Sequence, residues 1–168
     1  HTRLSIQDIE KGGQPLIIGD YVIVFNGEIY NHRALRTRLT NHAFQTESDT
    51  ETLLALYIKY GISALSMCDG MFAFAIWDPR DGSLHLARDR FGIKPLFIAW
   101  KGNALVFSSE IKGILAYGVP ARPNLGPIKD YLVTGRLGHT RETYFEGIES
   151  FPPATWLTFR QGKLETKC

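Results

Sequence analysis

Apolar residues recur along the chain with two different periods, and the changes between them mark out its elements. Tyr21 to Phe25 (YVIVF) is β-branched and aromatic and reads as a strand. It runs into Asn26-Gly27, a dipeptide suited to positive φ, so a sharp corner is expected there. Asn31 is placed to cap a short helix through Leu39. Ser48-Asp49-Thr50-Glu51 has the serine-to-glutamate spacing of a capping box, ahead of a helical repeat of Leu53, Leu54, Leu56, Tyr57 and Tyr60. Gly61 supplies the stop.

From Met71 the period changes to that of strands: MFAFAIW, a turn at 78–82, SLHLAR, a loop DRFGIKP, LFIAW, a turn KGN, and ALVFSS. Short turns between them predict an antiparallel meander of four strands. Ser109 is placed to cap a helix through Tyr117, a proline-rich joint precedes a helix from Asn124 to Val133, and Thr155 to Phe159 with the Gln161-Gly162 turn predicts a last hairpin. A strand such as MFAFAIW, apolar on both faces, must be covered on both sides, and the helices need a sheet to lie on. A layered α+β sandwich meets both requirements.

Composition narrows the functions more than the fold. At 168 residues, without repeats or an obvious linker, the chain is expected to form one domain over 1–168. A net charge of +2 from nineteen basic and seventeen acidic residues, with neither sign in long blocks, gives no electrostatic case for nucleic acid or an anionic membrane surface. The longest apolar run, Met71 to Trp77, falls far short of the roughly 20 residues a membrane-spanning helix needs. With no leader-like start, a cytoplasmic protein is expected. Cys68 and Cys168 are too few for a disulfide framework or a zinc site, and His32, His42, His85 and His139 lack metal or triad spacing, so no metal is expected. Small neutral or zwitterionic ligands stay open.

Four segments in order change the picture: His1 to Ile6 (HTRLSI), Phe25 to Asn31 (FNGEIYN), Ser48 to Glu51 (SDTE), and Gly70 to Asp78 (GMFAFAIWD) running to Ala87–Leu96 (ARDRFGIKPL). Together they resemble the glutaminase domain of the glutamine-hydrolysing asparagine synthetase family, class II glutamine amidotransferases. The resemblance continues through Ser109-Glu110-Ile111-Lys112 and from Phe145 to Pro153, nearly the whole chain. Other class II members share the HTR, NG and SDTE elements in looser form, while FNGEIYN and ARDRFGIKPL favour the asparagine synthetase branch. The resemblance implies a four-layer αββα sandwich of two antiparallel sheets, of the N-terminal-nucleophile hydrolase type, incomplete at its N-terminus.

It also implies a glutamine site. Arg3 matches the arginine that grips the ligand's α-carboxylate, where a planar fork suits the anion better than lysine would. Leu4, Ser5, Ile6 and Gln7 match the adjoining wall, and Glu28 lines the pocket. Asp49 matches the partner of the α-ammonium, for which an acceptor-only carboxylate is suited. Asn26 and Gly27 match the donors that stabilise the oxyanion formed when the amide is attacked; losing one such donor slows chemistry by about 10²–10³-fold. The family's nucleophile is an N-terminal cysteine activated by its own amine. The aligned motifs start at His1, so an upstream segment with that cysteine is expected to be missing and the chain to bind glutamine without hydrolysing it. Cys68, without a free amine or evident histidine partner, is a poor substitute, and Thr2 would be terminal only after loss of His1.

Singly, these residues have plainer readings. Asp49 is a favourable first-turn acid, Asn26-Gly27 a turn, Arg3 a surface charge, and Arg88-Asp89-Arg90 either a surface ion-pair network or part of a contact with a following domain. Only the joint order of the segments points to chemistry. The expected partners are glutamine and a C-terminal synthetase domain, and a homodimer is compatible. ATP and Mg are expected only in that absent domain, because no Ser-Gly-Gly-x-Asp pyrophosphate loop is present. No cofactor is expected here. The alternative is a non-catalytic glutamine-sensing or scaffold module of amidotransferase ancestry.

Overall fold

The computed structural model describes residues 13–136 and 138–167. They form two compact units, one within His1–Lys94 and Ala154–Cys168, the other Pro95–Pro153. The first holds a six-stranded antiparallel sheet in the order β1-β2-β3-β4-β8-β9, built from β1 (Leu16–Ile18), β2 (Tyr21–Ile29), β3 (Gly70–Asp78), β4 (Ser83–Arg88), β8 (Trp156–Arg160) and β9 (Lys163–Lys167). The second holds a three-stranded antiparallel sheet, β6-β5-β7, from β5 (Phe97–Lys101), β6 (Ala104–Ser108) and β7 (Ile148–Ser150). The α+β class and the two antiparallel sheets agree with the expectation.

Helix α1 (His32–Arg36) and helix α2 (Asp49–Tyr60) pack in the first unit, with a 3₁₀ segment Gly61–Met67 continuing from α2. The core there is Ile23, Phe25 and Ile29 of β2 with Phe72, Phe74 and Ile76 of β3, met by Leu53, Leu54, Leu56 and Tyr57 of α2. Period-two alternation in the strands puts those residues on one face, and the helical repeat covers it. In the second unit Ala99, Val106 and Ile148 pack with Ile114 of α3 (Ile111–Ala116), and α4 (Leu125–Thr134) ends at Gly135 in the left-handed conformation.

Several expectations need correction. Asn26-Gly27 is not a corner: β2 runs straight through it, pairing Asn26 with Ala73 and Gly27 with Phe72. Glycine is required there for close approach, since an added Cβ would collide with the Met71 carbonyl oxygen and come within 2.7 Å of the Phe72 Cα. The four-strand meander is two hairpins in two sheets, because β4 pairs with β8 and β5 with β7. The expected capping box is half present. Ser48 accepts from the Thr50 N–H at 3.1 Å, but Glu51 turns back to the preceding loop, accepting from the Gln45 N–H at 2.9 Å and the Thr46 N–H at 2.7 Å. Helix α1 stops at Arg36, and Asn31 makes no cap bond; its side-chain amide donates to the Met67 carbonyl at 2.9 Å instead. The N-cap of α3 falls on Glu110 rather than Ser109.

Candidate functional site

The last residues of β2 carry Asn26, Gly27 and Glu28, and the first residue of α2 is Asp49. The strand's final amide joins them: Asp49 Oδ2 accepts from the Ile29 N–H at 2.9 Å, across twenty residues of sequence. Asp49 is 7% exposed. Burial pushes its carboxyl above the ordinary aspartate range; the Ile29 N–H, the His32 ring and the Thr50 N–H oppose that shift, and the charge of Glu28 adds to it. Asn26 and Glu28, two residues apart, project from one face of β2 and are half-buried. The structure therefore gathers Gly27, Glu28 and Asp49 around one strand end, with Asn26 one residue further back. Arg3, Leu4, Ser5, Ile6 and Gln7 lie outside the described residues.

A scaffold absent from the sequence reading holds this corner. Arg36 donates to the carbonyls of Thr46 at 2.8 Å and Ser48 at 2.9 Å and to Thr52 Oγ1 at 2.9 Å, with its guanidinium 4.1 Å from the Phe44 ring centre. It thus grips residues on both sides of Asp49. Glu51 gathers the loop before them, accepting from Gln45 and Thr46 and bonding His42 Nε2 at 3.0 Å. Burial works to raise the Glu51 carboxyl, but these donors hold it below its ordinary value. The first helical turn, which points its N–H groups toward an anion, also favours a carboxylate at Asp49. An Arg36 beside the loop could be suspected from its helical spacing to His32; its four acceptors, the Glu47 carboxylate at 3.3 Å among them, could not.

Arg88-Asp89-Arg90 is not a surface ion-pair network among the described contacts. Asp89 is 1% exposed and accepts from the N–H groups of Phe72 at 3.2 Å and of Phe91, Ile93 and Lys94 at 3.0 Å each. Arg88 donates to the carbonyls of Lys94 and Gly92, both at 2.7 Å. The pair folds the loop that leads out of β4. Beside it a cleft of about 570 Å³ is lined by Leu65, Cys68, Phe72, Phe91, Ile93 and Trp156, and it contains none of the expected site residues. The Cys68 thiol, 4% exposed and donating to the Ala64 carbonyl, is pushed up to about 12 by burial and by the Asp69 charge. It is an inert thiol at neutral pH.

Among the described residues no cluster of His, Cys, Asp and Glu could hold a metal ion, and no helix is long and apolar enough to cross a membrane. His42 bonds Glu51, His85 bonds Ser83 at 2.8 Å and Thr158 at 3.0 Å, and His139 lies 3.4 Å from Asp130. His32 is buried in the first turn of α1.

Compared with known proteins, residues 1–168 match a family model described as a glutamine amidotransferase domain. The chain is 40% identical over 171 residues to asparagine synthetase [glutamine-hydrolyzing] 3 of Bacillus subtilis, covering 98% of this chain and 28% of that protein. It is 47% identical over 117 residues to asparagine synthetase [glutamine-hydrolyzing] 1 of Arabidopsis thaliana, 68% of this chain and 20% of that protein. The chain thus spans less than a third of these relatives. Among solved structures, a glutamine phosphoribosylpyrophosphate amidotransferase from B. subtilis superposes with a TM-score of 0.62 at 25% identity, over 92% of this chain and 31% of that one. A protein described as a glutamine aminotransferase class-II domain protein, from Silicibacter pomeroyi, shares the fold at a TM-score of 0.51 and 15% identity, over 92% and 70% of the two chains.

Proposed function

The chain belongs to the glutamine amidotransferase domain family, of the asparagine synthetase-like kind, and from that premise we propose that it binds glutamine at the end of β2 as the glutaminase part of an asparagine synthetase-like ligase. In this reading Asp49 takes the α-ammonium, Arg3 the α-carboxylate with Leu4 to Gln7 as the wall, and Asn26 and Gly27 face the amide oxygen. Glu28 lines the pocket. The ammonia released by the complete enzyme passes to an ATP-dependent synthetase domain that amidates an acid such as aspartate. ATP and Mg belong to that domain, and this one takes no cofactor. The 168-residue chain by itself binds glutamine and does not hydrolyse it, since its described thiol is buried and protonated.

The observation that carries the proposal is the Asp49 carboxylate. It is buried beside the strand that holds Asn26-Gly27 and accepts from the backbone N–H groups of Ile29 and Thr50. A buried anion is costly unless compensated, and an amino acid's ammonium is the compensation a glutamine site provides. Isothermal titration of the chain with glutamine, beside a coupled assay for released glutamate, tests this. Saturable uptake of glutamine without glutamate release is expected. No detectable uptake at millimolar glutamine contradicts the reading, and turnover contradicts the inactivity of the chain.

A further inference from the structure

Helix α1 places two side chains on one face, His32 and Arg36, one turn apart. Arg36 grips Ser48 and Thr52 on either side of Asp49, so the turn that carries His32 faces the same corner. His32 also follows by three residues the Ile29 amide that binds the Asp49 carboxylate. The ring is 3% exposed, and its Nδ1 has no hydrogen-bond partner among the described residues. Buried polar atoms are almost always matched, and an unmatched one at a functional corner calls for a reason.

We infer that His32 is a positioning residue for the ammonium end of the glutamine site: as a neutral ring it leaves the Asp49 carboxylate open to the ligand's ammonium, and as an imidazolium it takes that carboxylate for itself. The inference rests on the glutamine reading above. Asp49 is the strongest charge acting on the ring and the ring is the strongest charge acting on Asp49. The other charges acting on the ring are Arg36 and Arg33 from α1 and Glu47 from the loop before α2, whose side chain is 83% exposed. Burial, more than the arginines, holds the ring neutral at ordinary pH, against the pull of Asp49. The unmatched Nδ1 fits this role: no neighbour among the described residues already claims this nitrogen, so the ring's protonation can respond to the carboxylate and to an ammonium beside it.

Two measurements on the full 168-residue chain test the inference. In a pH titration of the histidine ring signals by NMR, saturating glutamine should move the His32 midpoint further down, because ammonium and ring proton compete for one carboxylate. Correspondingly, glutamine affinity should fall by up to about tenfold per pH unit between the midpoint of the free chain and the lower midpoint of the complex. The variant His32→Asn keeps a polar group near the Nδ1 position and cannot be protonated. Its glutamine affinity, whatever its level at neutral pH, should lose the step set by the ring and decline only where Asp49 itself titrates. A ring midpoint indifferent to glutamine overturns the inference, and this readout needs no variant to fold. So does an His32→Asn protein of unchanged melting temperature whose pH profile matches wild type. A wild type that takes up no glutamine at any pH instead removes the functional reading, and with it this one.

Discussion

Asp49 and Asp89 are both buried aspartates at the ends of elements in the same unit, yet their carboxyls shift in opposite directions. Asp89 is the less exposed of the two, and burial acts to raise it, but the N–H groups of Lys94, Ile93, Phe91 and Phe72 converge on its oxygens and bring it below the ordinary range. Asp49 takes the Ile29 and Thr50 N–H groups, has Glu28 close by, and stays above that range. At Asp89 four donors outweigh burial and at Asp49 burial outweighs two, which separates a carboxylate that holds the fold together from one left with capacity for a ligand. Asp78 falls on the structural side too: despite burial, Arg80 and the Tyr57 hydroxyl lower it to about 2.

The hardest way to break the comparison is to remove Asp89. Asp89→Ala leaves four backbone N–H groups unmatched, three in the loop after β4 and that of Phe72 in β3, and should cost about 4 kcal/mol of stability, read by urea unfolding. A loss below about 1 kcal/mol would mean that these donors find other acceptors and that the loop is not organised by the carboxylate. The pH dependence has a definite sign. Asp89 and Asp78 are lowered in the folded state, so the stability they contribute is present above the unfolded value near 3.9 and is lost as pH falls through their folded values, about 2 for Asp78.

Next in size is Gly27→Ala, on the Asp49 side of the comparison. The added Cβ meets the backbone of Met71 and Phe72 in the paired strand, and no flexible side-chain tip is available to give way. A loss of about 3 kcal/mol is expected, with local shift of the β2–β3 pairing that presents the Ile29 amide to Asp49. Near-wild-type stability with glutamine uptake intact would show that the close approach at Gly27 can relax without disturbing the site.

The parts of this molecule legible in its sequence are those set by neighbours along the chain. Ser48 as the cap of α2, Gly61 as its stop, the helical repeat between them and the Gln161-Gly162 hairpin turn all depend on local spacing. Where a residue type serves two purposes, the sequence alone chose the wrong one. Glycine after asparagine suits a turn, and it equally suits a strand pressed against another backbone; only the partner Phe72 distinguishes them. The switch of β5 into the second sheet depends on pairing with β7, about fifty residues later, and β1 and β7 are three residues each, too short to carry a pattern. In the candidate site, Asn26, Gly27, Glu28 and Asp49 were named from the resemblance of ordered motifs. Arg36 and His32 were not, because Arg36 matters through what it bonds across α2 and its preceding loop, and His32 through the charges those segments bring near it.

The smallest effect on stability, and the sharpest on function, is expected from Asp49→Asn. The Asp49 carboxyl is raised on folding, so its contribution favours the folded state below the unfolded value and is lost as pH rises through the folded one. At neutral pH the ionised group is therefore better off unfolded, and a neutral amide should leave the chain at least as stable as wild type. Its oxygen can still accept the Ile29 N–H. Glutamine uptake, in contrast, should weaken by about 3 kcal/mol, on the order of a hundredfold, because the ammonium loses its charged partner. Calorimetric melting and glutamine titration of the same preparation separate the two quantities. If Asp49→Asn melts well below wild type, as Asp89→Ala should, then Asp49 is a structural carboxylate like Asp89, and the contrast between the two corners disappears.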